Sequence, residues 1–367
     1  MNREITFRQI TFMYLFISIS TVLRQIPQAL AAEAGRSGYI SPLLSLAATV
    51  PLTAVIIFIM KSYPGKSFYE VLEQVAGSFL SKVILLFYFI WLLLATTAKV
   101  SSYSLTLEFT LMPRTRSDFF MTVMLILVFY ALLHGMKAIF RFSELTLGTV
   151  LILFGLLFLS ALPRLRTDYL LPISTVNFSK TAFAAKHVAA VGGNIIIALF
   201  FADKLGVQLN KSHFRRLWGA AFTFTALAFV ITLFTFGISG AGLTAGLPFP
   251  FYITVKSISF FNVFERFEVL VTLICILSDY IAIAIFAVLL LRCLEWIFHL
   301  ENSSYLLIPM AVIIFYLTHY LSSTQFEFNY LYRVLLVNLN LIFEYAIPAL
   351  VALLCLFRRK KVPVKQS

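Results

Sequence analysis

Ten apolar runs, each long enough to cross a bilayer as a helix, follow one another along this chain and leave room for little else. A helix needs about 20 apolar residues to traverse the hydrocarbon core. On that rule the spans fall at about 9–32, 41–60, 79–108, 118–135, 142–162, 184–206, 216–239, 267–297, 304–322 and 335–357. Lipid offers backbone amides and carbonyls no partners, so the runs are predicted to be helical. They are continuously apolar rather than alternating, which argues against a transmembrane barrel. The third and eighth are unusually long and are expected to tilt. The widest gap, about 240–266, is itself apolar and carries Pro248 and Pro250. It is predicted to be a short surface-lying helix or a re-entrant segment. The fold class is therefore an all-α polytopic membrane protein, a single transmembrane domain over 1–367.

Composition excludes the alternatives. Of the 367 residues 60% are hydrophobic and 12% charged, whereas soluble domains carry about a quarter charged residues. Too few charges remain to cover a water-facing surface, so a soluble enzyme, a nucleic-acid-binding protein and a disordered chain are ruled out. The formal net charge of +13 belongs to loops beside the membrane. Arg3 and Arg8, an apolar stretch and Ala29-Leu30-Ala31 imitate a signal peptide. Arg24 and Pro27 interrupt that stretch and many spans follow, so it is read as the first transmembrane helix. With the N-terminus inside, 17 of the 29 Lys and Arg residues face the cytoplasm, ten face outward, and Arg24 and Lys99 fall within spans. The bias places both termini in the cytoplasm, as an even number of spans requires. The basic residues Arg358 to Lys361 also suit an anionic inner leaflet, or act as a simple stop-transfer anchor. Cys275, Cys293 and Cys355 lie in apolar segments and are read as buried small hydrophobes.

Charged and polar groups inside a membrane are functional candidates by default. In the first span Ser18, Ser20 and Thr21 precede Arg24, Gln25 and Pro27, which is what a discontinuous helix looks like in sequence. The alternative is a Pro-kinked helix whose hydroxyls bond back to its own carbonyls. The sixth span is interrupted by Gly192-Gly193-Asn194, with Asp203-Lys204 marking its cytoplasmic end. Two glycines cost about 2 kcal/mol of helix propensity relative to Ala; close packing of a neighbouring helix is their other explanation. The first and sixth of ten spans occupy corresponding places in two five-helix halves, at about 9–162 and 184–357. Paired interruptions at such places are expected of an inverted-repeat transporter with its site at the midplane. On this reading freed amides at Thr21 and Gly193 would hold a ligand carboxylate, with Arg24 adding charge.

Lys99 and Tyr103 lie one turn apart on the third span and could face a central cavity. Asp279, between Ser278 and Tyr280, is a candidate ion or proton site, because an ionised Asp in lipid needs a partner. Lys99 is grouped with it in that coupling role. Glu344 in the tenth span is another candidate, and for each of these groups pairing with a neighbouring helix is an equal alternative. The five histidines are scattered at span ends, and no P-loop, G-x-S-x-G, H-E-x-x-H or Cys/His metal cluster is present. Neither an enzyme nor a cofactor-dependent protein is expected.

Several stretches together resemble a known family. They are Ile5-Thr6-Phe7-Arg8-Gln9, Ile26-Pro27 with Ala34-Gly35, Tyr63-Pro64-Gly65-Lys66-Ser67, Leu111-Met112-Pro113-Arg114-Thr115, Leu171-Pro172 and Phe264-Glu265-Arg266-Phe267-Glu268. In this order, on a ten-span layout, they resemble the endospore germination permeases. These are the GerAB-type B subunits of nutrient germinant receptors, within the amino acid/polyamine/organocation transporter group. The resemblance implies a LeuT-like five-plus-five inverted repeat with a small-molecule germinant bound between broken helices one and six. It also implies a larger membrane-anchored A subunit and a lipoprotein C subunit as partners, in the spore inner membrane. The first-helix break of such permeases often contains glycine where this chain has Ser18, Ser20 and Thr21, and their sixth helix often carries an acid where this chain has Asn194. The expected function is sensing of a small polar nutrient such as an amino acid; the alternative is proton- or sodium-coupled amino-acid transport. The candidate ligand-binding set is Ser18, Ser20, Thr21, Arg24, Tyr103, Gly192, Gly193 and Asn194.

Overall fold

The computed structural model describes residues 5–171, 178–205, 211–257 and 268–359, and the described residues form an all-helical bundle. Among the described residues eight segments are long and apolar enough to cross a membrane, the first of them Ile26–Ser62, a stack of consecutive helices. Phe7–Arg24 and the 17-residue Ser117–Leu133 account for the remaining two of the ten expected spans. The ten are here called spans 1 to 10 in chain order.

Span 1 opens on a capping box in which Thr6 Oγ1 accepts from the Gln9 amide and Gln9 Oε1 accepts from the Thr6 amide. It runs as Phe7–Arg24, breaks at Gln25 and resumes as Ile26–Ala34. Pro27 supplies the break: it has no amide to donate and its ring crowds the preceding turn. Ser18, Ser20 and Thr21 lie upstream, inside the regular helix, and Ser18 Oγ donates back to the Tyr14 carbonyl at 2.9 Å. The discontinuity is therefore at Gln25, and the expected free amide at Thr21 is not formed, because that residue sits mid-helix. Span 2 follows as Leu46–Ser62 after a 3-10 turn, Gly35–Ile40, and the short helix Ser41–Leu44.

Span 3, Ser78–Thr110, and span 8, Glu268–Phe298, pack along each other, and span 8 also touches spans 1 and 5. At 1.5 Å per residue both exceed the roughly 30 Å hydrocarbon core. Span 6 is helical over Phe178–Gly192, tightens to a 3-10 turn over Gly193–Ile196, and regains α geometry at Ile197–Phe200. The best apolar windows of spans 6 and 8 are 89% and 78% buried, against 22% for span 9, Ser304–Leu321. Spans 6 and 8 are thus the centre of the bundle. Spans 4, 5 and 9 carry outward-facing Ile126, Leu133, Leu145, Ile152 and Ile308, the apolar surface a bilayer covers.

One expectation changes and another is narrowed. Span 10 begins at Gln325, about ten residues before the expected start, where Thr324 and Glu327 form a capping box. Glu327, Asn329 and Arg333 dilute the apolar run there and hid its first turns. Two π-helical turns, Leu331–Leu336 and Leu341–Ala346, interrupt the span. The described part of the segment after span 7 forms two short helices, Ala241–Gly246 and Pro250–Lys256, that pack into the bundle, as the re-entrant alternative has it and a surface-lying helix does not. Phe251, Tyr252, Thr254 and Val255 are buried. The Pro172 and Phe264–Phe267 parts of the family-like stretches lie outside the described residues.

Candidate functional site: a polar cavity between spans 1, 3, 6 and 10

A small cavity opens where the two interrupted helices meet spans 3 and 10. Thr21 and Gln25 face it from span 1, and Trp91, Ala95, Ala98, Lys99 and Ser102 from span 3. Val191 and Asn194 face it from span 6, and Phe328, Tyr332, Leu336 and Asn340 from span 10. Phe286 of span 8 completes the wall. Amides, hydroxyls and one ammonium thus sit among aromatic rings, the usual make-up of a small-molecule site.

Most polar wall groups are held by hydrogen bonds, the Tyr332 hydroxyl being the exception. Asn340 accepts from Trp91 Nε1 at 2.8 Å and donates to the Ala190 carbonyl at 2.8 Å, so one amide joins spans 3, 10 and 6. Asn194 donates to the Val191 carbonyl at 3.0 Å, and Gln25 Nε2 donates to Ser102 Oγ at 3.4 Å. Lys99 Nζ donates to the Ile17 carbonyl at 2.5 Å, to Thr21 Oγ1 and to Ser20 Oγ at 3.3 Å. All three partners are neutral oxygens. Its three protons are satisfied but its charge is not paired.

Beside the cavity lies a buried ion pair. Arg24 Nη2 is 2.6 Å from each carboxylate oxygen of Asp279, and both side chains are buried. The guanidinium also donates to the Ser102 carbonyl, Thr106 Oγ1 and the Ser20 carbonyl. The Asp279 carboxylate, expected as an ion or proton site, is paired with Arg24, which is turned toward span 8 and does not line the cavity. Tyr103 is buried next to this pair, outside the cavity wall.

Of the expected ligand set only Thr21 and Asn194 line the cavity, joined by Lys99 from the coupling pair. Ser18 is turned to the Tyr14 and Val191 carbonyls, and Ser20 supports Lys99. Gly192 and Gly193 are contact glycines. A Cβ on Gly192 would sit 2.6 Å from Thr49 Cγ2, and one on Gly193 would sit 2.7 Å from both Glu344 Cβ and Tyr345 Cε2. The close approach of spans 2 and 10 requires glycine at both places. Trp91, Ser102, Tyr332 and Asn340 were missed. Trp91, Ala95, Ala98 and Ser102 recur at steps of three and four residues, with Lys99 four after Ala95, on one face of span 3. That periodicity was a usable signal; nothing in span 10 marked Tyr332 or Asn340.

The fold and the site define a multi-pass membrane protein of permease architecture, with two interrupted helices around a central polar cavity. The same fold is found in the solved structure of MhsT in complex with L-phenylalanine, with a TM-score of 0.67 at 15% identity over 95% of this chain and 87% of that one. It is found again in a mutant of the Eremococcus coleocola manganese transporter, with a TM-score of 0.61 at 12% identity over 94% of this chain and 78% of that one. The chain belongs to the spore germination protein family of spore permeases, whose family model matches residues 4–326. No curated protein matches the sequence. Family and fold are permease-like, not those of an enzyme.

Proposed function

We propose that this protein is the germinant-sensing membrane subunit of a spore nutrient receptor, and that the cavity takes an amino acid or a similar small polar nutrient. The observation that carries the reading is Lys99. Its ammonium stands at the cavity wall hydrogen-bonded only to neutral oxygens, while the neighbouring Arg24 charge is cancelled by Asp279. A site of limited water access with one surplus positive charge favours an anionic group, and a carboxylate is the anion that nutrients of this size carry. Gln25, Ser102 and Asn194 supply amides and hydroxyls for an ammonium or side chain, and Trp91 and Phe286 a face for its apolar part. The fold neighbour crystallised with L-phenylalanine supports a ligand of this class.

Sensing requires the nutrient to bind two states unequally. The two five-span halves, about 9–162 and 184–357, are taken as the repeats that move relative to each other. Membership of the spore germination family supports placement in the spore inner membrane beside A-type and lipoprotein C-type subunits. The basic loops support cytoplasmic termini.

The test is germination of spores whose only copy of this gene carries Lys99→Met or Gln25→Ala, challenged with amino acids, sugars and nucleosides. Loss of the response to one nutrient class at normal membrane levels supports the reading, and an unchanged response overturns it. Proteoliposome uptake separates the transport alternative: concentrative, ionophore-sensitive flux assigns a transporter, and binding without flux a sensor.

A further inference from the structure

Among the described residues two carboxylates are buried in the bundle, and the fold treats them oppositely. Asp279 meets a guanidinium. Glu344, with none of its surface exposed, has no hydrogen-bond partner at either oxygen and no cation against it. It lies in the π-helical turn Leu341–Ala346, and such turns inside helices are frequent at functional sites. Its side chain rests on Gly193, the first residue of the 3-10 turn in span 6. The titratable groups around it are all neutral phenols: Tyr14 from span 1, Tyr88 from span 3, and Tyr332 and Tyr345 from span 10. From span 6 the Gly193 backbone lies against it. The Tyr88 and Tyr345 hydroxyls donate to the Phe343 and Ala189 carbonyls, while those of Tyr14 and Tyr332 are buried without a partner.

We propose that Glu344 is a proton-binding site, carried as the neutral acid in this packing and emptied when span 10 separates from the interrupted turn of span 6. An unpaired carboxylate anion in such surroundings is far costlier than the neutral acid, so the group keeps its proton while it stays dry. A metal cation is the poorer occupant. Hard cations demand several oxygen ligands at once, and among the described residues no hydroxyl is hydrogen-bonded to Glu344 and no cluster of acidic, histidine or cysteine side chains that could hold a metal is present. The proton comes from water and returns to it, and no other group changes charge.

The site is distinct from the nutrient cavity yet touches its wall. Asn340, one turn before Glu344, lines the cavity and bonds to Ala190, and Asn194 follows Gly193. Loss of the proton would place a bare charge against span 6 and favour a state in which water reaches it. Proton release and movement of the cavity wall are then linked in both directions. This goes beyond the nutrient reading and does not depend on it.

The test is infrared difference spectroscopy of the full chain in lipid nanodiscs, without nutrient, titrated with acid and base. The carbonyl stretch of a buried carboxylic acid is expected at neutral pH, lost in Glu344→Gln and kept in Glu327→Gln. Should Glu344→Gln not fold, Gly193→Ala leaves Glu344 in the chain but pushes span 10 off the turn, so the band is expected to shift or weaken. The proposal is overturned if the wild-type and Glu344→Gln spectra coincide, if the band ignores Gly193→Ala, or if sodium or potassium abolishes it. Because no nutrient is present, failure here leaves the sensing reading untouched.

Discussion

Arg24 and Asp279 close on each other across the first and eighth spans, with one guanidinium nitrogen 2.6 Å from both carboxylate oxygens. The remaining guanidinium donors reach the Ser20 and Ser102 carbonyls and Thr106 Oγ1, so three spans converge on one cation. Taking two charges out of water is costly, and their attraction offsets that cost only when geometry and extra hydrogen bonds are good. Both conditions are met here.

Removing one partner strands the other. Arg24→Met or Asp279→Leu alone is expected to destabilise the protein by about 3–5 kcal/mol. The double replacement should recover most of that loss, because no buried charge is left over. Thermal unfolding of the detergent-solubilised protein measures the cycle. Additive losses in the double variant would show that the two charges do not act as a pair.

A second pair locks the Asp203 end of span 6. Arg292 donates to the Phe200 carbonyl and to Asp203 Oδ2, each at 2.5 Å, and lies 4.8 Å over the Trp296 ring. The planar fork makes both bonds at once, which a lysine's single nitrogen does not reproduce. Arg292→Lys should therefore cost about 1.5–3 kcal/mol, the worth of a charged hydrogen bond. Hydrogen exchange at the end of span 6 should rise with it; unchanged protection there would refute the role.

Most of the fold was legible because length and apolarity alone dictate spanning helices. All ten spans are present, and both interrupted helices are the ones expected. The positions within them were less legible. Ser18 and Thr21 looked like a break because hydroxyls interrupt an apolar run, yet each finds a carbonyl or ammonium inside regular helix. Gly192 and Gly193 looked like freed backbone, and are instead where Thr49, Glu344 and Tyr345 press in. Which face of a span meets which neighbour is a tertiary fact. A single sequence showed that Asp279 needed a partner and set Arg24 toward a ligand, but not that each was the other's partner.

The glycines give the last prediction, because the same substitution should act in opposite directions at two sites. Gly155 sits inside span 5 with nothing within 4 Å of an added Cβ, so its backbone freedom has no packing purpose. Gly155→Ala is expected to stabilise by about 0.5–1 kcal/mol, the ordinary gain of Ala over Gly in a helix. At Gly193 the added Cβ would meet Glu344 Cβ and Tyr345 Cε2 at 2.7 Å, a distance real contacts do not show. Span 10 must then back away, and overpacking of this kind costs about 1–3 kcal/mol. Parallel melting curves of the two variants settle the matter. If Gly193→Ala is as stable as Gly155→Ala, spans 6 and 10 do not touch at Glu344, and the wall they share beside the cavity is built differently.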